Sequence, residues 1–249
     1  MKNFLYNFIK KIVNKNTYEG KFNSYEEAKN RSNKKIEDYI DERSTKKIYT
    51  HLEVEIKNRH YVAPLLVSIF ATLNKNNKEL NLLDIGGGEF PIVSFIKNST
   101  NVKVNCFVLE TDFFIKNSTV PKIYKKDLKY ISSLSFLPKK KISIVVFNSS
   151  IQYFEEYEAI LEKIFKLRPS YIVLTKTTFQ DEHKDYFTLQ KNIKPKIFPN
   201  RFFSFFKLRK FFERKNFKLI FKAKHLVNYK HNFINNKNFY ELDLIFKRK

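Results

Sequence analysis

The stretch Leu82-Leu83-Asp84-Ile85-Gly86-Gly87-Gly88-Glu89-Phe90 decides how this chain is read. An apolar run ends in an acid, and three of the chain's four glycines follow in a row. Such a run reads as a strand that turns sharply, because glycine accepts left-handed backbone angles and leaves no side chain in a ligand's way. Residues of about 91–97 read as a helix whose first N–H groups point at the same space. The next apolar run ends in Val108-Leu109-Glu110-Thr111-Asp112, which puts Glu110 at 110 − 86 = 24 residues beyond Gly86. A carboxylate at the end of a neighbouring strand accepts two hydrogen bonds from the vicinal hydroxyls of a ribose.

Two nucleotide classes compete for this arrangement. A nicotinamide dinucleotide site needs G-x-G-x-x-G/A, with a small third residue where helix and strand pack closely. Counted from Gly86, the third position is Pro91, and there is no pyrophosphate-type lysine motif. A cofactor with a ribose and no pyrophosphate fits better. S-adenosylmethionine (SAM) is the expectation, with its methionine end over Gly86, Gly87 and Gly88.

Outward from the glycines, apolar strands alternate with helices. Residues 80–85, 102–110, 142–148 and 171–175 read as strands, with a short third strand at 122–124 and helices over about 155–167 and 208–215. Near-continuous apolar strands in this order predict a parallel sheet covered on both faces. The runs 217–227 and 239–247 lack an intervening helix and predict an antiparallel hairpin at the sheet edge. Upstream, a helix is expected around 60–73, interrupted early by Pro64. Ser24 and Glu27 form an S-x-x-E capping box for a helix running from Tyr25. Phe4, Leu5, Phe8, Ile9, Ile12 and Val13 stand at helical spacing among lysines. That helix either packs its apolar face on the protein, the favoured reading, or lies on an anionic membrane. Residues 1–60 are therefore expected to form a helical extension that folds over the cofactor as a lid, and 61–249 the catalytic domain.

Composition narrows the function classes. With 249 residues, 43% hydrophobic, the chain can bury one substantial core. The single cysteine, Cys106, excludes a disulfide scaffold. No run approaches the roughly 20 apolar residues of a membrane span, and a cytoplasmic protein is expected. The formal net charge is +23, and residues 190–249 carry 17 basic against 3 acidic residues. That end would attract an anionic partner, although a lysine-rich composition raises charge without functional demand. In 201–212, Phe and Arg interleave as they do in base-stacking surfaces, but an amphipathic helix entry with buried Phe is favoured. The Cys and His spacings fit no metal site, so no metal is expected.

At this point the sequence resembles the class I SAM-dependent methyltransferases. Asp84-Ile85-Gly86-Gly87-Gly88 looks like their first motif, with Phe90 in place of the final glycine, and Glu110 matches their ribose-binding acid. The resemblance implies a Rossmann-like α/β sheet of seven strands, the last antiparallel. More narrowly, the chain is similar to a family of methyltransferases encoded beside bacterial surface-polysaccharide genes. The similarity is carried by 18–28, by Ser149-Ser150-Ile151-Gln152-Tyr153, by Thr175-Lys176-Thr177-Thr178-Phe179, by Thr188-Leu189-Gln190 and by Phe198-Pro199.

The expected site follows from these readings. Asp84, Gly86, Gly87, Gly88, Glu110, Asn148 and Ser149 would hold the cofactor, with Asp127 accepting from the adenine amino group. His183, within Asp181-Glu182-His183, is a candidate general base, because an imidazole beside a carboxylate suits that role. Tyr153 would orient the acceptor or close over the methionine moiety. Gln152, Tyr18, Thr177 and Gln190 are expected on the acceptor side. The acceptor is expected to be a small molecule or glycan precursor, such as a capsule or lipopolysaccharide sugar. A nucleic-acid-binding protein or RNA methyltransferase is the alternative, and peripheral contact with the inner membrane is expected if the N-terminal helix faces lipid.

Overall fold

The computed structural model describes residues 18–32, 69, 79–88, 103–117, 128–191, 197–225 and 239–249. In chain order these form β1 (Tyr18–Phe22), α1 (Tyr25–Arg31), β2 (Glu79–Ile85), β3 (Lys103–Leu109), α2 (Asp112–Asn117), β4 (Leu128–Ile131) and β5 (Ile144–Asn148). There follow α3 (Tyr157–Lys166), β6 (Tyr171–Gln180), β7 (Tyr186–Lys191), β8 (Ile197–Ser204), α4 (Phe205–Arg214), β9 (Phe217–His225) and β10 (Phe239–Arg248).

Seven strands make the central sheet in the order β4-β3-β2-β5-β6-β10-β9. The pairs from β4 to β6 are parallel, and β10 is antiparallel to both β6 and β9. This is the expected doubly wound sheet with a reversed last strand. Its middle strands are buried on both faces, as their unbroken Leu, Ile, Val and Phe content requires. On one face Leu83, Val145, Phe147, Ile172 and Leu174 meet α3 and α4. Those helices turn Tyr157, Leu161 and Ile164, and Leu208, Phe211 and Phe212, inward at helical spacing. On the other face Leu82, Val108, Ile144 and Val173 pack with the helical Ile69.

Several boundaries differ from the sequence expectation. The third strand is at Leu128–Ile131, whereas the expected 122–124 lies outside the described residues. So do the helix over 91–97, the 4–13 segment and Asp127. β6 runs five residues beyond 175. The capping box is present, with Ser24 accepting from the Glu27 N–H and Glu27 accepting from the Asn23 N–H, but its helix spans only Tyr25–Arg31.

The larger departure is a second, antiparallel sheet, β1-β7-β8, absent from the sequence reading. It is joined to the main sheet where β8 runs parallel to the end of β6, at Phe179↔Phe203 and Gln180↔Ser204. Residues 18–22, expected to belong to a helical extension, are its edge strand. Tyr18 faces Gln190 in register, and Thr188 donates to the Glu19 carbonyl at 3.1 Å. Strand pairing is a long-range preference that local propensity does not encode, and 18–22 has too few apolar residues to announce it.

A buried ion pair ties this sheet to the helices. Arg201 on β8 lies 3.4 Å from Asp185, donates to the Glu155 carbonyl at 2.6 Å, and is sandwiched between the Tyr157 and Phe187 rings. Asp185 also accepts the Ser204 N–H at 2.8 Å. Removing one partner strands the other charge away from water, at about 3 kcal/mol or more. Asp185→Ala should therefore lower unfolding stability by at least that amount in urea titration, and a loss under 1 kcal/mol would show the pair to be dispensable.

Candidate functional site

The glycine turn has the backbone its composition predicts. Gly86 and Gly88 have φ of +66° and +55°, where a side chain would be strained. Gly87 is required for a different reason: a Cβ there would stand 2.6 Å from Asp84 Oδ2 and 2.9 Å from Val108 Cγ1. Asp84 is fully buried beneath the turn, so it supports the loop from below.

Three strands fix the turn from the sides. The Gly86 N–H donates to the Leu109 carbonyl at 2.9 Å. Ser150, just past β5, donates its hydroxyl to the Ile85 carbonyl at 2.6 Å, and Tyr130 on β4 donates to the Gly88 carbonyl at 3.1 Å. Glu110 closes the rim. One carboxylate oxygen accepts the Gly88 N–H at 2.7 Å and the other accepts the Thr111 N–H at 3.2 Å. Burial raises its pKa, and these two backbone donors counteract the rise. Ser150 and Tyr130 escaped the sequence reading, because neither a serine pair nor a tyrosine in a short strand reveals which carbonyl it will reach.

At the end of β5, Asn148 accepts from the Thr175 hydroxyl at 2.8 Å. Ser149, at φ +54°, donates its N–H to the Thr175 carbonyl and accepts from Gln152 Nε2. The same Gln152 nitrogen reaches the Lys176 carbonyl, while Oε1 of this residue is buried with no hydrogen-bond partner among the described residues. Tyr153 donates to Gln190 Oε1 at 2.8 Å, and Asn200 Nδ2 donates to the same oxygen at 2.8 Å. Thr178 adds its hydroxyl to Asn200 Oδ1 at 3.0 Å. The structure thus brings Tyr153 and Gln190 together and adds Asn200 and Thr178, which the sequence reading missed.

The other expected site residues have these places. Tyr18 is 2% exposed, its ring packed against Phe202 and Phe239, and it stands opposite Gln190 in register. Thr177 is fully buried and faces Leu242 in register, on the core face of the sheet. His183 is exposed, and its ring meets Phe206 of α4 at 6.2 Å. Among the described residues no hydrogen bond or ring contact joins it to the glycine turn or to Tyr153. The loop 181–185 turns it onto a surface shared with Lys207, Lys210 and Arg214.

A further acidic residue on the sheet face of Thr178 is Glu241 on β10. β6 carries a β-bulge between Leu174 and Thr177, where the left-handed Lys176 (φ +47°) is the extra residue. The Lys176 N–H donates to buried Asp243 at 2.9 Å. Beyond the bulge Glu241 stands directly opposite Thr178, and directly opposed residues share a sheet face. Glu241 is 8% exposed. Burial pushes its pKa from 4.5 up to about 7, with the Lys176 charge opposing and the Asp243 charge reinforcing the rise. Among the described residues no group of acids, histidines or cysteines could hold a metal ion.

No protein-family model and no curated protein matches this sequence. Solved structures do match in fold. The YcgJ protein from Bacillus subtilis is 12% identical with a TM-score of 0.52, over 77% of this chain and 100% of that one. The N-terminal domain of EvdMO1, crystallised with S-adenosylhomocysteine and D-fucose, is 10% identical with a TM-score of 0.51, over 75% and 82%. The magnesium protoporphyrin IX methyltransferase of Synechocystis PCC 6803, with bound SAM, is 12% identical with a TM-score of 0.50, over 76% and 79%. The chain has the Rossmann-like fold shared with class I methyltransferases.

Two outcomes test this geometry. Gly87→Ala forces the Asp84 carboxylate and Val108 aside and should cost about 1–3 kcal/mol, as overpacking does, by thermal or denaturant melting. Glu241 binds a proton more tightly folded than unfolded, so it favours the folded state below about pH 4.5 and loses that contribution as pH rises through about 7. Glu241→Gln should abolish this decline and be more stable than wild type at pH 8, by up to roughly 3 kcal/mol. Parallel stability curves for the two proteins across pH 4–8 would refute the assignment.

Proposed function

We propose that this chain is a SAM-dependent methyltransferase. The observation that carries the reading is Glu110, held at the end of β3 with its carboxylate against the Gly88 N–H, beside a glycine turn at the end of β2. These residues fit an adenosyl cofactor. The turn presents backbone where side chains would obstruct, and the carboxylate has remaining lone pairs for two ribose hydroxyls. Gly86, Gly87, Gly88 and Glu110 would hold the nucleoside and methionine parts, with Asn148 and Ser149 beside them and Asp84 supporting from below. When bound, the cofactor supplies a methyl group on a positively charged sulfur. The chain's own contribution is alignment and a water-poor site, with Tyr153, Gln190, Asn200 and Thr178 orienting the acceptor.

For the acceptor, the reading is a hydroxyl of a surface-polysaccharide sugar or its precursor. It draws on the sequence similarity carried by residues 149–153 and 175–179, and on the neutral amides and hydroxyls around Tyr153. A fold neighbour that was crystallised with D-fucose is compatible with it. On this reading the protein works in the cytoplasm, at or near the membrane where such precursors are assembled.

A second reading, an RNA methyltransferase or nucleic-acid-binding protein, draws on the α4 surface. Phe206 is 54% exposed there, and Lys210 and Arg214 have no carboxylate partner among the described residues. Binding of single-stranded RNA that falls steeply with salt and persists without SAM would favour it.

Calorimetry decides the first reading. SAM or S-adenosylhomocysteine should bind saturably. Glu110→Ala should weaken binding by about 10–100-fold, the loss of a charged acceptor for two hydroxyls. Binding of NAD and not SAM would overturn it. Mass spectrometry of surface glycans from cells lacking the protein should show the loss of a methyl group if the acceptor is as proposed.

A further inference from the structure

Methyl transfer to an alcohol has a requirement that cofactor binding does not meet: the hydroxyl proton must go somewhere. His183, the candidate from the sequence, is exposed and turned toward Phe206. Glu241 differs from it in three respects. It is nine-tenths buried. Its carboxylate accepts no hydrogen bond from any described residue, whereas neighbouring Asp243 is committed to the Lys176 N–H. It also shares a sheet face with Thr178, the end of the network that runs through Asn200 and Gln190 to Tyr153.

Among the described residues, the charges that act on Glu241 are Lys176 on the β6 bulge and Asp243 on its own strand, and position 225 of β9 is its backbone register partner. A buried carboxylate costs stability, and packing does not explain it. Retaining it makes sense where a group must take up a proton near neutral pH.

Building on the methyltransferase reading, we propose that Glu241 is the proton acceptor of the acceptor site and that the substrate class is a neutral hydroxyl compound. The surrounding groups select among nucleophiles. An ammonium would meet the Lys176 charge, and a carboxylate or phosphate would meet Glu241 and needs no base. An alcohol is neutral, needs a base, and matches the amide and hydroxyl groups of Gln190, Asn200, Thr178 and Tyr153, which both donate and accept. In the step, the O–H bond breaks and the proton passes to a Glu241 oxygen. The freed oxygen pair forms the bond to the methyl carbon of the sulfonium donor, and the carbon–sulfur pair leaves with sulfur.

The test uses the full chain and three readouts. First, carbon-13 carboxyl titration of the ligand-free protein, assigned with Glu241→Gln, should show Glu241 titrating near 7. Titration in the ordinary glutamate range overturns the proposal whatever the transfer assay shows. Second, Glu241→Gln should leave SAM affinity within about twofold of wild type, which separates this site from that of Glu110. Third, labelled-methyl transfer from SAM to a neutral glycan-precursor fraction should be tenfold slower per pH unit below 7 for wild type. Glu241→Gln should lose at least 100-fold and the pH dependence together, and Glu241→Asp should recover part of the rate with a shifted profile. Wild-type rate and pH profile in Glu241→Gln, or a methyl group found on nitrogen or a carboxylate, overturns the proposal alone. A wild-type chain that binds SAM and transfers nothing overturns the methyltransferase reading, and the proposal with it.

Discussion

The placement of the residues proposed for the acceptor side turns on one hydrogen bond, from the Lys176 N–H to the Asp243 carboxylate. It holds an extra residue in β6 and so reverses which side chains face which way beyond it. Before the bulge Ile172 and Leu174 face the α3/α4 core, and after it Thr177 and Phe179 do. Thr178 is thereby turned to the opposite face, where it meets Asn200, with Glu241 across from it. An unbulged strand would point Thr178 into the hydrophobic core and turn Phe179 toward the polar network. Gln152, which bonds the Lys176 carbonyl from the β5 side, braces the same irregularity.

Cofactor side and acceptor side are consequently built by different means. The glycine turn is made of backbone, fixed by parallel neighbours and by three side chains that each grasp one main-chain group: Ser150, Tyr130 and Glu110. The residues proposed for the acceptor side are Tyr153, on the turn after β5, and side chains from β6, β7, β8 and β10, brought together where a second sheet is joined to the first at the end of β6. A backbone-built site is common to a whole fold. A side-chain-built site can be varied residue by residue, and chemical preference resides there.

This division explains what could be read from the sequence. The parallel strands, the terminal hairpin, the glycine turn, Glu110 and the Ser24 cap follow from local patterns of period, composition and spacing, while the seven-strand sheet with its reversed last strand follows from the resemblance. Of the run expected as an amphipathic helix entry, Phe211 and Phe212 are buried by α4 as that spacing implies, whereas Phe202 and Phe203 are buried on strand β8 and Phe206 is exposed. The β1-β7-β8 sheet does not, because its pairings join distant residues and its strands carry polar residues at buried positions such as Thr188 and Asn200. The sequence reading names Thr177 and not Thr178, because no local sign marks the bulge: Lys176 is neither glycine nor asparagine, yet it is left-handed. Nothing in the sequence around Glu241 announces that β6 and β9 will enclose it.

The pairing of β1 with β7 sets the order in which the molecule can assemble. Tyr18 and Gln190 are 190 − 18 = 172 residues apart, yet they face one another in register. While the chain is being synthesised, β2, β3, β4 and β5 can form from neighbours close in sequence. The N-terminal strand has no partner until most of the polypeptide has emerged, and non-local pairing of this kind is slow. Until then Tyr18 is exposed, and once β7 and β8 form, Phe202 and Tyr186 want for their cover. Maturation therefore runs from the nucleotide end toward the acceptor end. Residues 18–22 are made before their partners and find their place after them, and the small sheet whose edge they form is among the last parts of the protein to take shape.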